Sequence, residues 1–159
     1  MPPNDVTLYA VWSEVIVYTF SIVYNANGGS GAPDNETYTS TTSMVYQAKL
    51  STTKPTRTGY DFLGWSKSQE AEVAEYEAGE TITINKGTTY LYAVWKVKSY
   101  SLIYNANGGT NAPTTESREY DSVKNLSSKT PTRVGYTFKG WGLSAITTTV
   151  SYHPGDAFT

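Results

Sequence analysis

An element of eleven residues occurs twice in this chain and constrains its fold more than any other feature. Residues 55–65 read Pro-Thr-Arg-Thr-Gly-Tyr-Asp-Phe-Leu-Gly-Trp, and residues 131–141 read Pro-Thr-Arg-Val-Gly-Tyr-Thr-Phe-Lys-Gly-Trp. Eight of the eleven positions are identical, which chance does not produce in a chain of 159 residues. The protein is therefore predicted to consist of repeats, each organised around this element, which we call the signature element.

Two further segments recur and set the predicted repeat boundaries. Tyr-Asn-Ala-Asn-Gly-Gly stands at 24–29 and again at 104–109, and the run Leu-Tyr-Ala-Val-Trp stands at 8–12 and again at 91–95. The copy of Leu-Tyr-Ala-Val-Trp at 91–95 follows the first signature element, so this run is interpreted as the closing strand of a repeat. We therefore predict the closing strand of a preceding repeat at 1–13, a complete repeat at 14–96, and an incomplete second repeat at 97–159 that lacks its last strand.

The composition favours small β domains without metal or thiol chemistry. Aromatic residues make up 14% of the chain, led by 14 tyrosines, and aromatic and β-branched residues are enriched in strands. The absence of cysteine removes disulfides and thiolate metal sites. A formal net charge of −2 gives no electrostatic footprint for nucleic acid. No apolar stretch approaches the roughly 20 residues of a membrane-spanning helix, so we expect no membrane insertion.

Alternating and turn-forming residues outline the elements of each repeat. Phe20, Ile22 and Tyr24 alternate with smaller residues, which predicts a half-buried strand. Asn-Gly after it predicts a turn, and Gly59 is the expected positive-φ residue of the signature element. Apolar residues at mixed spacing over 44–50 and 123–126 predict one or two helical turns. Short strands are predicted at 81–84 and 88–96, the latter closing the repeat.

These motifs resemble the Listeria–Bacteroides repeat, also called the internalin B-repeat. The resemblance rests on Tyr-Asn-Ala-Asn-Gly-Gly, the signature element and Leu-Tyr-Ala-Val-Trp, and it covers nearly the whole chain. The family usually has Asp where Asn25 and Asn105 stand. The resemblance implies an α+β, mostly β fold of tandem small ubiquitin-like β-grasp repeats. It also implies an extracellular or cell-surface setting in bacteria, as part of a larger protein.

No constellation of residues indicates catalysis, so we expect no enzyme, no cofactor and no metal. His153 is the sole histidine, and neither a nucleophile–base pair nor a phosphate loop is present. Asn25-Ala26-Asn27-Gly28 echoes a calcium loop but lacks carboxylates, so a turn is the better interpretation. The acidic residues over 70–77 have no counterpart in the second repeat and are interpreted as a solvated loop.

The candidate binding residues are a set of tyrosines and two arginines. Tyrosines on an exposed sheet face bind protein or carbohydrate, although cross-strand packing explains them equally well. The arginines fit ligand binding or, better, stacking on an aromatic ring. The candidate binding face comprises Tyr9, Tyr90, Tyr92, Arg57 and Arg133. The structural signature comprises Gly59, Tyr60, Phe62, Gly64, Trp65, Gly135, Tyr136, Phe138, Gly140 and Trp141.

Two non-catalytic functions are therefore open. The first is an adhesive or stalk unit of a bacterial surface or secreted protein, with neighbouring repeats and a host or cell-wall protein or glycan as partners. The alternative is an assembly module of a filament or a virion surface, in which residues 6–12 of one molecule complete the open repeat 97–159 of the next. Head-to-tail contacts of this kind form chains.

Overall fold

A computed structural model describes residues 5–159 and divides them into two units. The first unit comprises the described residues up to Pro55 together with Leu63–Val94, and the second comprises Thr56–Phe62 and Trp95–Thr159. The predicted repeat boundaries after residues 13 and 96 stay predictions. Residues 1–4 of the predicted segment 1–13 lie outside the described residues.

All regular structure in residues 5–159 is β-strand. The strands are β1 (Tyr18–Asn25), β2 (Glu36–Ser40), β3 (Val45–Lys49), β4 (Tyr60–Ser66), β5 (Thr81–Asn85), β6 (Gly87–Val97), β7 (Ser99–Leu102), β8 (Glu116–Glu119), β9 (Lys124–Asn125) and β10 (Ala157–Phe158). The prediction of a mostly β protein is confirmed. Residues 5–17 contain no strand, so Val6–Trp12 is not paired as a closing strand in this structure.

The first repeat is built on a mixed four-stranded sheet in the order β2-β1-β6-β4. Strand β1 pairs antiparallel with β2 and parallel with β6. The predicted alternation is confirmed, because Phe20, Ile22 and Tyr24 are buried while Thr19 is exposed. Leu91 and Ala93 of β6 are fully buried beside them. Strand β6 therefore supplies a central part of the core of the first repeat.

The helical turns predicted over 44–50 are wrong, because this segment forms β3. Strand β3 pairs antiparallel with β5, with Tyr46 opposite Ile84. Ala48 and Leu50 are buried and alternate with exposed Lys49, which is the period of a strand. Met44 and Val45 are apolar but exposed, so counting them as core residues hides the alternation of the segment.

The second unit contains two small two-stranded sheets. Strands β7 and β8 pair antiparallel, as do β9 and β10. The helical turn predicted over 123–126 is also wrong, because Lys124–Asn125 is β9. The second signature element forms isolated bridges only, between Thr110 and Thr132 and between Trp141 and Tyr152. In the described residues of this unit, the β7–β8 sheet has no third strand.

Within residues 5–159 there is no helix with the length and hydropathy that a membrane span needs.

Candidate functional site

The first signature element begins with a tight turn, residues 57–60, which we call the first signature turn. The Tyr60 amide donates to the Arg57 carbonyl (3.1 Å). Gly59 has a φ of 77°, which confirms the predicted positive φ. The Arg57 guanidinium carbon lies 3.8 Å from the centroid of the Tyr60 ring, so this arginine stacks on an aromatic ring within its own turn.

Two residues from the β7–β8 region pack on this turn within the second unit. A Cβ built on Gly59 would lie 2.0 Å from the Tyr120 ring, so the ring rests directly on the glycine. The Lys98 amide donates to the Gly59 carbonyl (2.8 Å), and the Tyr120 amide donates to the Lys98 carbonyl (2.8 Å). The first signature turn thus serves as a seat for Tyr120 and the Lys98 backbone.

The second signature turn, residues 133–136, repeats this geometry without an occupant among the described residues. The Arg133 guanidinium carbon lies 4.1 Å from the Tyr136 ring centroid, and the Tyr136 amide donates to the Arg133 carbonyl (3.1 Å). Gly135 has a φ of 78°, yet no atom lies within 4 Å of a Cβ built there. Tyr136 is 68% exposed. Arg133 also donates through Nη1 to the Asn107 carbonyl (3.2 Å).

The glycine–tryptophan pair that ends each signature element anchors its repeat. A Cβ on Gly64 would lie 2.4 Å from the Tyr76 carbonyl oxygen, so the backbone of a neighbouring loop uses the space of the missing side chain. Trp65 is fully buried, and its ring centroid lies 4.9 Å from that of Tyr24. The Tyr104–Trp141 pair has nearly the same separation, 5.0 Å. Trp141 is only half-buried.

The Asn-Ala-Asn segments form turns, and their second asparagine donates hydrogen bonds to backbone carbonyls of neighbouring segments. Asn25 Oδ1 accepts from the Asn27 amide (2.7 Å), and Asn27 has a positive φ of 47°. The Asn27 side-chain amide donates to the carbonyls of Gln69 (2.9 Å) and Ala93 (3.0 Å). Asn107 makes the counterpart of the first bond, to the Ala145 carbonyl (2.8 Å). Ala93 lies in β6, for which the second unit has no counterpart among its described strands.

A tyrosine–glutamate cluster that sequence reasoning missed occurs in both repeats. The Tyr24 hydroxyl donates to Glu36 Oε1 (3.3 Å) and accepts from the Ser51 amide (2.9 Å). In the second repeat Tyr104 bonds Glu116 (3.1 Å) and Ser127 (2.9 Å) in the same way. The signal that could have revealed it is the Tyr-to-Glu spacing of twelve residues in both copies.

In the first repeat, burial raises the pKa of Tyr24 and of its neighbour Tyr38. Burial is the largest cause that raises the pKa of Tyr24 to about 12, while the bond from Ser51 lowers it and the charge of Glu36 raises it. The pKa of Tyr38 is also raised, first by burial and then by its hydrogen bond to Glu36. The Tyr38 position is taken by Arg118 in the second repeat, where Arg118 pairs with Glu116 (2.8 Å). In both repeats the cluster is therefore a set of hydrogen bonds within the fold.

A groove lies in the second unit where the first repeat has β6. It has a volume of about 610 Å³. Its lining includes Leu102, Tyr104, Asn107, Phe138, Trp141 and Phe158. We call it the strand groove. In the first repeat the counterpart of Leu102, Ile22, is fully buried next to β6, whereas Leu102 is half-buried and Ile103 is exposed.

The candidate binding residues lie on different elements of the two units. Tyr90 is exposed and Tyr92 is half-buried, both on β6, whereas Tyr9 is exposed in the unpaired segment 5–17. Arg57 and Arg133 both stack in their own turns. The proposal of a binding face made of Tyr9, Tyr90, Tyr92, Arg57 and Arg133 stays a prediction.

No geometry for metal binding is found in the part of the chain that the structure describes. No group of three or more His, Cys, Asp or Glu residues there could hold a metal ion. His153 is exposed, and its backbone amide donates to Asp156 Oδ2 (2.6 Å). Of the acidic loop, Glu75 accepts a hydrogen bond from the Ser66 hydroxyl (2.9 Å), which is a bond within the fold.

Comparison with known proteins gives a family and two named relatives. The family model of the Listeria-Bacteroides repeat domain matches residues 20–94 and 100–159. A protein of Evansella cellulosilytica named "Putative Gly-rich membrane protein" is 32% identical over 145 residues, which cover 89% of this chain and 16% of the relative. A second protein of that organism, named "Putative membrane protein", is 33% identical over 139 residues, which cover 87% of this chain and 19% of the relative. The chain thus spans less than a fifth of either relative. No solved structure matches it.

Proposed function

The chain belongs to the Listeria-Bacteroides repeat domain family, and from that premise we propose that it is a non-catalytic tandem repeat module of a bacterial surface or secreted protein, acting as a stalk or adhesive unit. The observation that carries this proposal is the seating of Tyr120 and Lys98 on the first signature turn. An element shared by both copies is used for packing, as expected for repeats that bury surface against their neighbours.

We further infer that each repeat is a reduced β-grasp. The order β2-β1-β6-β4, with β1 parallel to β6, is the arrangement of a β-grasp sheet with its first and last strands at the centre. Strand β3, paired with β5, takes the place of the helix that normally packs on such a sheet. Tyr46 of β3 packs at 5.5 Å from Phe20 of β1, between ring centroids, so the smaller sheet covers the same core.

The cellular setting of this proposal is tested on a full-length parent protein. Bacteria that produce it with an epitope inserted after Gly31 would be treated with protease or labelled with antibody without lysis. Gly31 suits the insertion because a Cβ there meets no atom within 4 Å. Labelling of intact cells supports the surface role. Labelling only after lysis, with a secreted control protein labelled normally, contradicts it.

Adhesive and stalk roles are separated by binding of the full chain to glycan and host-protein arrays. Exposed Tyr90 is the best-placed aromatic residue of β6 for an adhesive contact. Binding that the Tyr90→Ser variant loses supports adhesion. Absence of binding by the folded chain supports the stalk role and removes the adhesive one.

The second candidate function is an assembly module joined head to tail through residues 6–12 and the open repeat at 97–159, in a filament or on a virion. One observation favours it: the described part of the second unit holds a strand groove, while Val6–Trp12 is exposed and unpaired. Molar mass measured by light scattering over a concentration series tests it. Mass that rises with concentration supports assembly, and a constant monomer mass contradicts it.

A further inference from the structure

We propose that Asp61, Lys98 and Tyr120 form an order-specific joint, in which the signature turn of one repeat receives the repeat that follows it. The receiving turn is marked by the carboxylate of Asp61. The partner that fits it is a repeat with a lysine directly before its first strand and an aromatic ring directly after its second, as Lys98 and Tyr120 stand around β7 and β8. This inference rests on the proposed repeat-module function and deepens it, because it names the kind of partner that a signature turn accepts.

The first signature turn is continuous with one unit and packs within the other. Residues Thr56–Phe62 belong to the predicted first repeat in the sequence, but their contacts place them in the second unit with Trp95–Thr159. Along the chain they lead into the second half of β4, where Trp65 is fully buried in the first unit. Unfolding of the first repeat would therefore displace the turn, so the turn links the stabilities of the two repeats.

Three contacts hold the second repeat on this turn. A Cβ built on Gly59 would lie 2.0 Å from Cδ1 and 2.2 Å from Cγ of Tyr120, so the ring rather than the hydroxyl covers the glycine. The Lys98 amide donates to the Gly59 carbonyl (2.8 Å), and Lys98 Nζ lies 3.5 Å from Asp61 Oδ1. The amide bond is available to any residue but proline, so the ring and the ion pair must supply the specificity.

Asp61 distinguishes the first signature turn from the second. The two signature elements differ at three of their eleven positions, and one of these is Asp61, whose counterpart is Thr137. The rest of the turn is shared, because the guanidinium–ring stack occurs in both copies, at 3.8 and 4.1 Å. A turn followed by threonine offers no charge to a lysine, so the two turns differ in the partner that they favour.

The docking side also differs between the two repeats. When the two Tyr-Asn-Ala-Asn-Gly-Gly segments are aligned, Lys98 corresponds to Tyr18 and Tyr120 corresponds to Ser40. The first repeat thus has neither the ammonium group nor the ring at the positions that contact the turn in the second. The joint therefore fits the second repeat behind the first signature turn, and it does not fit the first repeat there.

Both counterparts in the first repeat are engaged within their own unit. The ring centroid of Tyr18 lies 5.5 Å from the ammonium nitrogen of Lys86. The Ser40 hydroxyl accepts hydrogen bonds from the amides of Thr42 and Ser43 (both 3.2 Å), and so holds the turn after β2. These two positions therefore support the fold of the repeat itself in the first copy and the joint in the second.

The ring contributes more to the joint than the ion pair does. Tyr120 is 38% exposed, so most of its surface is covered. The side chains of Lys98 and Asp61 are 44% and 61% exposed, and at that exposure water screens an ion pair to about fivefold or less in an equilibrium constant. The ring therefore holds the repeat on the turn, and the ion pair adds a smaller preference for the matching turn.

The test uses full-length variants in which residues are exchanged between the two copies. Lys98→Tyr with Tyr120→Ser gives the second repeat the docking residues of the first, and each is a residue that the other copy has at that position. Tyr120→Phe keeps the ring and should behave as wild type. Glu119→Thr is the matched control, because it also introduces the residue of the other copy, Thr39, but at an exposed side chain beside Tyr120.

Amide hydrogen exchange, combined with a mild core substitution, measures whether the joint couples the two repeats. Ile84→Val removes one methylene group from a buried side chain and should speed exchange about fivefold at residues 22–25. In the otherwise wild-type chain, in Tyr120→Phe and in Glu119→Thr, exchange at residues 98 and 120 should speed up by the same factor, because the seat is lost with the first repeat. In the chain with Lys98→Tyr and Tyr120→Ser, exchange at residues 98 and 120 should already be fast, and Ile84→Val should change it by less than about twofold.

Two results would overturn the joint. An effect of Ile84→Val that is confined to residues 22–25 in the otherwise wild-type chain shows that the repeats are independent. Coupling of equal size in the chain with Lys98→Tyr and Tyr120→Ser removes the specificity from these side chains. Near-UV circular dichroism verifies that each variant is folded.

Charge reversal tests the ion pair separately. Asp61→Lys places two like charges together and should speed exchange at residue 98 about threefold. Adding Lys98→Asp should restore the wild-type rate, since the pair is formed again with opposite polarity, and absence of recovery overturns the ion pair as part of the joint. Labelling of intact cells depends on where the parent protein is displayed and not on these residues, so failure of the joint and failure of the proposed function give different results.

Discussion

Gly64 lies in β4 at a φ of 143°, and a Cβ there would lie 2.4 Å from the Tyr76 carbonyl oxygen. Both the backbone conformation and the close approach of a second backbone require glycine. Gly140 meets the same two conditions, with a φ of 148° and the Tyr152 carbonyl oxygen at 2.8 Å. The identity of these glycines in both copies therefore follows from packing of the repeat on its own loop.

Gly64→Ala is expected to lower the free energy of unfolding by about 3 kcal/mol or more, because strain and a backbone clash add. Gly31→Ala is the control, since Gly31 also has a positive φ (72°) but open space around it. It should cost about 1 kcal/mol. Urea denaturation measures both. Equal losses in the two variants would contradict the backbone contact at Gly64.

Tyr24 links stability to pH. Its pKa is raised to about 12 in the folded chain, chiefly by burial, from an ordinary value of 10.0. The hydroxyl therefore ionises in the unfolded chain first, so its contribution is fully present below pH 10 and is lost as the pH rises to 12. We expect a loss of about 2 kcal/mol over this interval. The variant Tyr24→Phe should show a smaller loss in urea denaturation, and an unchanged loss would refute the assignment.

At the scale of the element, the signature turn combines a local stack with a seat for a neighbouring ring. Gly59 and Gly135 have nearly the same φ, 77° and 78°, but only Gly59 carries the Tyr120 ring. The backbone cost of replacing glycine is thus matched between the two turns. The two turns differ in the contact with the Tyr120 ring, so comparing the same substitution at Gly59 and Gly135 measures the effect of that contact.

Gly59→Ala is expected to destabilise the chain by about 1–3 kcal/mol more than Gly135→Ala, because only the first forces Tyr120 to move. Adding Tyr120→Ala to each variant completes a double-mutant cycle. The coupling should be clear at Gly59 and absent at Gly135. Thermal or urea unfolding gives the values, and coupling of equal size at both glycines would contradict the seat.

The sequence was sufficient for those elements in which one pattern dominates. Alternation predicted β1, Asn-Gly predicted the turn after it, and the signature element predicted the positive φ of Gly59. Strand β3 was missed because exposed Met44 and Val45 obscured the alternation that ends in Ala48 and Leu50. The Tyr24–Glu36 bond was missed because it depends on the pairing of β1 with β2. The bond from Ser51 to Tyr24 was missed because Ser51 follows β3, a segment that was predicted to be helical.

At the scale of the whole molecule, two copies of one motif differ in completeness among the described residues. The first has β6 at the centre of its sheet, and the second has a groove at that position. The consequences appear in neighbouring residues, because Trp65 is fully buried whereas Trp141 is half-buried. Among the described residues, the two copies therefore share the signature turn and the tyrosine–tryptophan pair but not the central strand.

Amide hydrogen exchange at Lys98 and Tyr120 tests most directly whether the first signature turn is a seat for these two residues. The Lys98 amide donates to the Gly59 carbonyl and the Tyr120 amide donates to the Lys98 carbonyl, and residues 22–25, paired with β6, serve as the protected reference. Exchange at both amides should be slow in the wild-type chain and about tenfold faster or more in Gly59→Ala, while residues 22–25 stay protected in both chains. Fast exchange at Lys98 and Tyr120 in the wild-type chain, or exchange that Gly59→Ala leaves unchanged, would contradict the seat.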